Sequence, residues 1–364
     1  MNEKILKVIN SKSSEYRSIP FWSWNDDLEP QELCRQIEWM NSQGFGGYFM
    51  HARAGLITPY LSERWFECVE ACMQKGKELG MDSWAYDENG WPSGFAGGEL
   101  LKDKENCDKF LTTTVGKYDK NAFVSYSLDG DKLQRVEGGE NVLNVFVHYS
   151  PSTADILNPE VVKKFINLTH EQYKTHAGKD FSKKLKGFFT DEPQYQRWNQ
   201  PYTDMIKKYF AETYNQDVLD GLGLLFVEKE GYREFRYKYW KGMQRLFLDG
   251  FAKMIYNWCD ENGVELTGHY VEEPTLVTQM MCNSGIMPFY EYEHIPGMDW
   301  LGREIATPVA PKQVGSVARQ TGKKKVLSEM FALVGWDATP LELKRIAEWQ
   351  YVSGVNLMCQ HLLP

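Results

Sequence analysis

What most constrains this chain is a repeated cadence: a short apolar run, a polar loop, then an amphipathic helix. Ile19-Pro20-Phe21-Trp22-Ser23-Trp24 is followed by a helix predicted from about Glu29 to Gln43, with Leu33, Ile37 and Met40 on one face and Gly44 as its stop. Gly47-Tyr48-Phe49-Met50 reads as a second strand, with a helix from Ser62 to about Leu79, and Ser83-Trp84-Ala85-Tyr86 as a third. Nearly continuous apolar strands that alternate with helices predict a parallel sheet covered on both faces.

The cadence breaks between Cys107 and Tyr149, where β-like runs surround the hairpin signal Asp129-Gly130. This stretch is expected to be a small β excursion inserted after the third strand. A helix from Pro159 to His176 restores the pattern, and Leu185 to Thr190 is the fourth strand. The segment from Gln200 to Glu261 reads as helical and exceeds what one repeat needs, which predicts an extra helical layer. Glu265–His269, Met287–Tyr290, Lys325–Ser328 and Val355–Cys359 complete eight strands, the last preceded by a helix from Thr339 to Ser353. The fold class is therefore α/β, a (β/α)8 (TIM) barrel. At 364 residues the chain is read as one decorated barrel, with its last helix missing and as a fragment of a longer protein.

Composition narrows the partners. A net charge of −9 with no basic cluster disfavours nucleic acid, whose affinity rests on Lys and Arg. The Gly-rich run Ser93–Gly98 matches neither GxGxxG nor a P-loop, so no nucleotide cofactor is expected. No His/Cys motif has zinc spacing, no apolar run spans a bilayer, and the first residues lack the pattern of a secretory signal. With seven scattered cysteines, the expected compartment is cytoplasmic and the protein is not expected to engage a membrane. Aromatic content of 14%, including 12 Trp, suits both core packing and the lining of a sugar site.

In such barrels the site lies past the C-terminal ends of the strands. Nearly every predicted strand end here carries polar or ionisable groups. They are Trp24 and Asn25; His51 and Arg53; Asp87, Glu88 and Trp91; Asp191 and Glu192; His269 and Tyr270; Glu291 and Glu293; Glu329; and His361, with Trp336 nearby. Glu192 sits between Thr190-Asp191 and the strand-ending Pro193, and Glu329 directly follows the predicted seventh strand. Glycoside cleavage needs one carboxyl to protonate the departing oxygen and another acting from the opposite face of the sugar. Strand ends four and seven stand across the ring from each other, so these two glutamates are the candidate catalytic pair. Either alone is as readily read as a salt-bridge or helix-cap residue, and the histidines serve equally as structural hydrogen-bonding groups.

The runs PFWSWN, GGYFMHAR, YDENGWPSGFAGG, FFTDEP, SEMFALVGWD and GVNLMCQH resemble the catalytic barrel of glycoside hydrolase family 106, bacterial α-L-rhamnosidases, over roughly residues 18–364. The resemblance implies an inverting hydrolase of α-L-rhamnosides, with Glu192 as general acid, Glu329 as general base and a calcium ion helping to hold the sugar. Glu291 or Glu293 is the expected calcium neighbourhood, and the other strand-end residues are the expected substrate contacts. The family's β-sandwich domains have no counterpart in this chain. The alternatives are a barrel that binds carbohydrate without cleaving it, a different sugar specificity, or a metal-dependent hydrolase or isomerase on the same fold.

Overall fold

A computed structural model of the chain describes residues 3, 6, 14–195 and 199–363; most of the N-terminal stretch read for a signal lies outside them. Eight parallel strands form one sheet in the order β1 (Phe21–Trp24), β2 (Gly47–Ala52), β3 (Asp82–Asn89), β8 (Gly187–Asp191), β10 (Glu265–His269), β11 (Ile295–Trp300), β12 (Leu327–Met330) and β13 (Leu357–Gln360). A parallel bridge between Trp22 and Leu363, with the Ser23 amide donating to the Leu363 carbonyl and the Leu363 amide to that of Phe21, joins the last strand to the first. The sheet is thus a nearly closed barrel. Among the described residues no helix is long and apolar enough to cross a membrane.

A second, antiparallel sheet has the order β6 (Gln134–Arg135), β5 (Val124–Ser127), β7 (Val142–Ala154), β4 (Cys107–Gly116) and β9 (Gln200–Tyr202). It runs five residues beyond Tyr149 and borrows β9 from the segment read as helical. Helices at Met205–Tyr214, Tyr232–Phe247 and Lys253–Glu261 follow β9.

Strand side chains alternate between the two faces of a sheet, and this period of two sorts the barrel. Phe21, Phe49, Trp84, Phe189, Ile295, Leu327 and Leu357 fill the interior. The intervening residues, including Trp22, Met50, Leu266 and Met298, pack outward with the helices. The helices are conventional in their ends. Ser62 caps Glu63–Leu79 by accepting from the Trp65 amide, and Thr339 and Glu342 form a capping box at Pro340–Ser353.

The sixth strand needs correction. Met287–Tyr290 is not a strand: Phe289–Tyr292 forms a 3-10 turn, and the strand is Ile295–Trp300. Its sequence, IPGMDW, holds a Pro and a Gly, residues depleted from strands, so local preference reads it as loop. Close backbone approach overrides that preference. A Cβ on Gly297 would stand 2.1 Å from the Gly268 carbonyl oxygen, so glycine is what lets β10 and β11 pair there.

Candidate active site

Farther along the strands than the apolar interior layer, the same inward face carries His51 on β2, Tyr86 on β3, Asp191 on β8, His269 on β10, Asp299 on β11, Glu329 on β12 and His361 just past β13. Toward the C-terminal ends of the strands, Asp191, His269, Asp299 and Glu329 floor a cavity of about 470 Å³, with His51 and Tyr86 buried below them. Arg53, Trp91, Asp191, Glu192, His269, Asp299, Glu329 and His361 line it, with an apolar rim that includes Trp300, Leu301 and Leu333. Its size suits one small ligand.

His269 is the hub. Its Nε2 lies 2.8 Å from Glu329 Oε2 and 3.2 Å from Asp191 Oδ1. Burial disfavours an imidazolium, but Asp299, the Glu329 hydrogen bond and Asp191 together outweigh it and raise the His269 pKa well above the usual value. Burial also raises Glu329, opposed by its hydrogen bond from His269. Glu192 is pushed up to about 8, by burial first and then by the neighbouring charges of Asp299 and Asp191. Asp299 rises to about 6 through burial, with His269 opposing. On the Glu329 side, His361 Nε2 stands 3.7 Å from Glu329 Oε1 and 3.5 Å from Arg53 Nη2. Burial and the Arg53 charge lower His361 to about 4, so it is neutral near pH 7.

The backbone is unusual at Glu192 and just past Glu329. Glu192 has φ +45°, and Phe331 and Leu333, just beyond Glu329, have φ +76° and +57°. Non-glycine residues occupy this left-handed region at a cost, and such costs cluster at functional sites. The Glu192 amide is held by the His269 carbonyl at 3.2 Å.

Of the residues singled out in the sequence, the structure brings Glu192, Glu329, Arg53, Trp91, Asp191, His269 and His361 to one cavity. Others it places elsewhere. Trp24 and Tyr270 fall on the outward face by the period of two, and both are buried among helices, Trp24 against Trp65 and Tyr270 against Phe289. Asn25 is exposed on the loop after β1, and Trp336 is fully exposed; neither lines the cavity. His51 faces inward but is sealed beneath the floor, stacked on Tyr86 with ring centroids 3.6 Å apart.

Asp87 and Glu88 hold loops rather than facing the cavity. Asp87 accepts from Ser93 Oγ at 2.5 Å. Glu88 accepts from the amides of Asn89, Gly94, Phe95, Ala96 and Gly97, so the Gly-rich run wraps an anion from its own chain. That nest is the geometry such loops offer to phosphates, here filled internally. It shapes the loop that carries Trp91.

Glu291 and Glu293 precede β11, so they sit toward the opposite end of the barrel from the cavity. Glu291 is exposed in the 3-10 turn, and buried Glu293 accepts from the Gly297 amide at 3.0 Å. The acidic residue that β11 does deliver is Asp299, which the misplaced strand hid. Period-two counting from Ile295 would have found it. Among the described residues, two sets of side chains have donor atoms close enough to hold a metal ion: Asp191, His269 and Glu329, and Glu192, His269 and Asp299. They come from different strands, so no spacing motif could announce them.

Strands, helices and acidic cavity together define the class: a parallel α/β barrel with its site at the C-terminal end. Two solved structures carry the same fold. One is a rhamnosidase from Novosphingobium sp. PP1Y, with TM-score 0.74 and 13% identity over 98% of this chain and 56% of that one. The other is a β-galactosidase from the Antarctic haloarchaeon Halorubrum lacusprofundi, with TM-score 0.57 and 10% identity over 95% of this chain and 52% of that one. Both are glycosidases, the likeness is one of fold, and the chain spans about half the length of each. No protein-family model and no curated protein sequence matches the chain.

Proposed function

We propose that this protein is a glycoside hydrolase that removes a terminal sugar, α-L-rhamnose, with inversion. One observation carries the reading: Glu192 and Glu329 line the same cavity, and of the two it is Glu329 that is hydrogen-bonded to His269. Glu192, with its pKa near 8, holds a proton at neutral pH. Glu329 faces the raised-pKa imidazole of His269, which favours its carboxylate form. Separated acid and base carboxyls are what this chemistry requires. The fold shared with a rhamnosidase supports the choice of substrate.

In this reading the Glu192 carboxyl gives its proton to the glycosidic oxygen as the bond from that oxygen to the anomeric carbon breaks. Glu329 takes a proton from a water whose oxygen bonds that carbon from the opposite face. The sugar and an alcohol leave, and proton exchange with solvent resets both glutamates. Arg53 and His361 are placed to donate to sugar hydroxyls, and Trp91 to cover one face of the ring.

The calcium ion that the family resemblance implies fits the cavity and not the Glu291/Glu293 region. Such ions take oxygen ligands, and Asp191, Asp299 and Glu329 supply carboxylates around the cavity in excess of its cations. A bound ion would offset that charge and hold sugar hydroxyls.

The test is a panel of aryl glycosides, with the anomer of the released sugar followed by NMR. The proposal expects turnover of the α-L-rhamnoside with an inverted first product. Retention would remove the water-activating role of Glu329, and inactivity on the α-L-rhamnoside with turnover of another glycoside would replace the sugar.

A further inference from the structure

Beneath the cavity floor lies a side chain outside any substrate's reach that holds one lining the cavity. Tyr86 is completely buried, and its hydroxyl donates to Asp191 Oδ2 at 2.5 Å. The ring has no freedom to wander. His51 stacks on it at 3.6 Å, Phe189 lies parallel to it at 6.0 Å and Phe21 meets it edge-on at 5.8 Å. Neither nitrogen of His51 has a hydrogen-bond partner among the described residues, so that ring serves here as a flat packing surface. The Asp191 backbone is fixed as well: its amide donates to Ser93 Oγ at 2.8 Å and its carbonyl accepts from the Ser93 amide at 2.7 Å.

With main chain and Oδ2 both tied, Asp191 presents Oδ1 to His269 Nε2 at 3.2 Å, and Glu329 Oε2 takes the shorter approach of 2.8 Å. A single N–H cannot point fully at two acceptors, so which carboxylate holds it depends on where Asp191 is allowed to stand. We infer that Tyr86 is a positioning residue for Glu329: by anchoring Asp191 it leaves the His269 N–H directed at the base. Without the hydroxyl, the Asp191 side chain turns to regain a donor, draws the imidazole toward itself and leaves Glu329 without its partner. The inference rests on the proposed acid and base roles and assigns a role to the layer below them.

A double-mutant cycle tests it, with Tyr86→Phe and Asp191→Asn assayed alone and together on an aryl α-L-rhamnoside. Tyr86→Phe keeps the ring and its packing. Its kcat is expected to fall roughly 10- to 100-fold, the loss for one hydrogen bond to a charged group. KM should stay within about twofold, because Tyr86 lies outside the cavity lining. In the Asp191→Asn background the same change is expected to cost less than about twofold, since residues acting through one another are non-additive. An unchanged kcat for Tyr86→Phe overturns the inference. So does a rise in KM alone, or an equal loss in both backgrounds. If Tyr86→Phe does not fold, Asp191→Asn alone decides: a wild-type kcat overturns the inference, and a loss of tenfold or more supports it. An inactive wild-type protein would instead defeat the functional reading and this inference with it, which separates the two failures.

Discussion

Glu192 and Glu329 are the same residue type proposed for opposite work, and their surroundings make the difference. Glu192, buried and with carboxylates for neighbours, keeps its proton to a pKa of about 8; burial raises Glu329 as well, but the hydrogen bond from His269 opposes it. As an acid, Glu192 works only while protonated, so turnover should fall as pH rises through about 8. A pH–rate profile checks this, and Glu192→Gln should abolish that limb together with most of the activity. Glu293 has a different consequence. Burial lifts it to about 8, and no partner meets its Oε1 among the described residues. Its folded pKa exceeds its unfolded one, so between about pH 4.5 and 8 the folded protein keeps a proton that the unfolded chain has released. Stability should therefore drop as pH rises through that window, by an amount on the order of a few kcal/mol. Glu293→Gln should flatten this slope in urea melts at pH 5 and 8; an identical slope would show that Glu293 does not titrate as described.

Among elements, the loop after β3 shows how a strand end is organised. Glu88 turns back into five backbone amides and is buried with them, so the carboxylate acts as the nucleus of its own loop. Glu88→Ala should cost at least about 3 kcal/mol, the lower range for removing one partner of a buried charged network. Because that loop carries Trp91, KM should rise in the same variant. Thermal unfolding and steady-state kinetics read the two effects, and a loss below 1 kcal/mol would mean the amides find water instead. From sequence, Glu88 looked like any acidic residue at a strand end, because the amides that hold it are invisible in a side-chain pattern. Glu192, Asp191, His269 and Glu329 were legible because apolar runs located their strand ends. Asp299 was not, because Pro296 and Gly297 make its strand read as loop. Trp24 and Tyr270 lie away from the cavity because a strand end does not by itself fix which face each residue takes.

For the whole molecule, the barrel does one thing that no single element can. It brings carboxylates from β8, β11 and β12, and an imidazole from β10, to one floor on the inward face of four neighbouring strands. The cadence of the chain was enough to expect eight parallel strands, since each strand–helix unit declares itself locally. Pairing across the ring, which sets the distances to His269, is long-range and had to be seen. The central claim is that Glu192 supplies a proton to the departing oxygen and Glu329 does not. It is tested most directly by turnover of phenyl and dinitrophenyl α-L-rhamnosides by Glu192→Gln and Glu329→Gln. Dinitrophenolate leaves without protonation, so Glu192→Gln should lose about 10²-fold or more on the phenyl substrate and recover most of it on the dinitrophenyl one. Glu329→Gln should be equally impaired on both. Equal losses for Glu192→Gln on the two substrates, or none on either, would contradict the account.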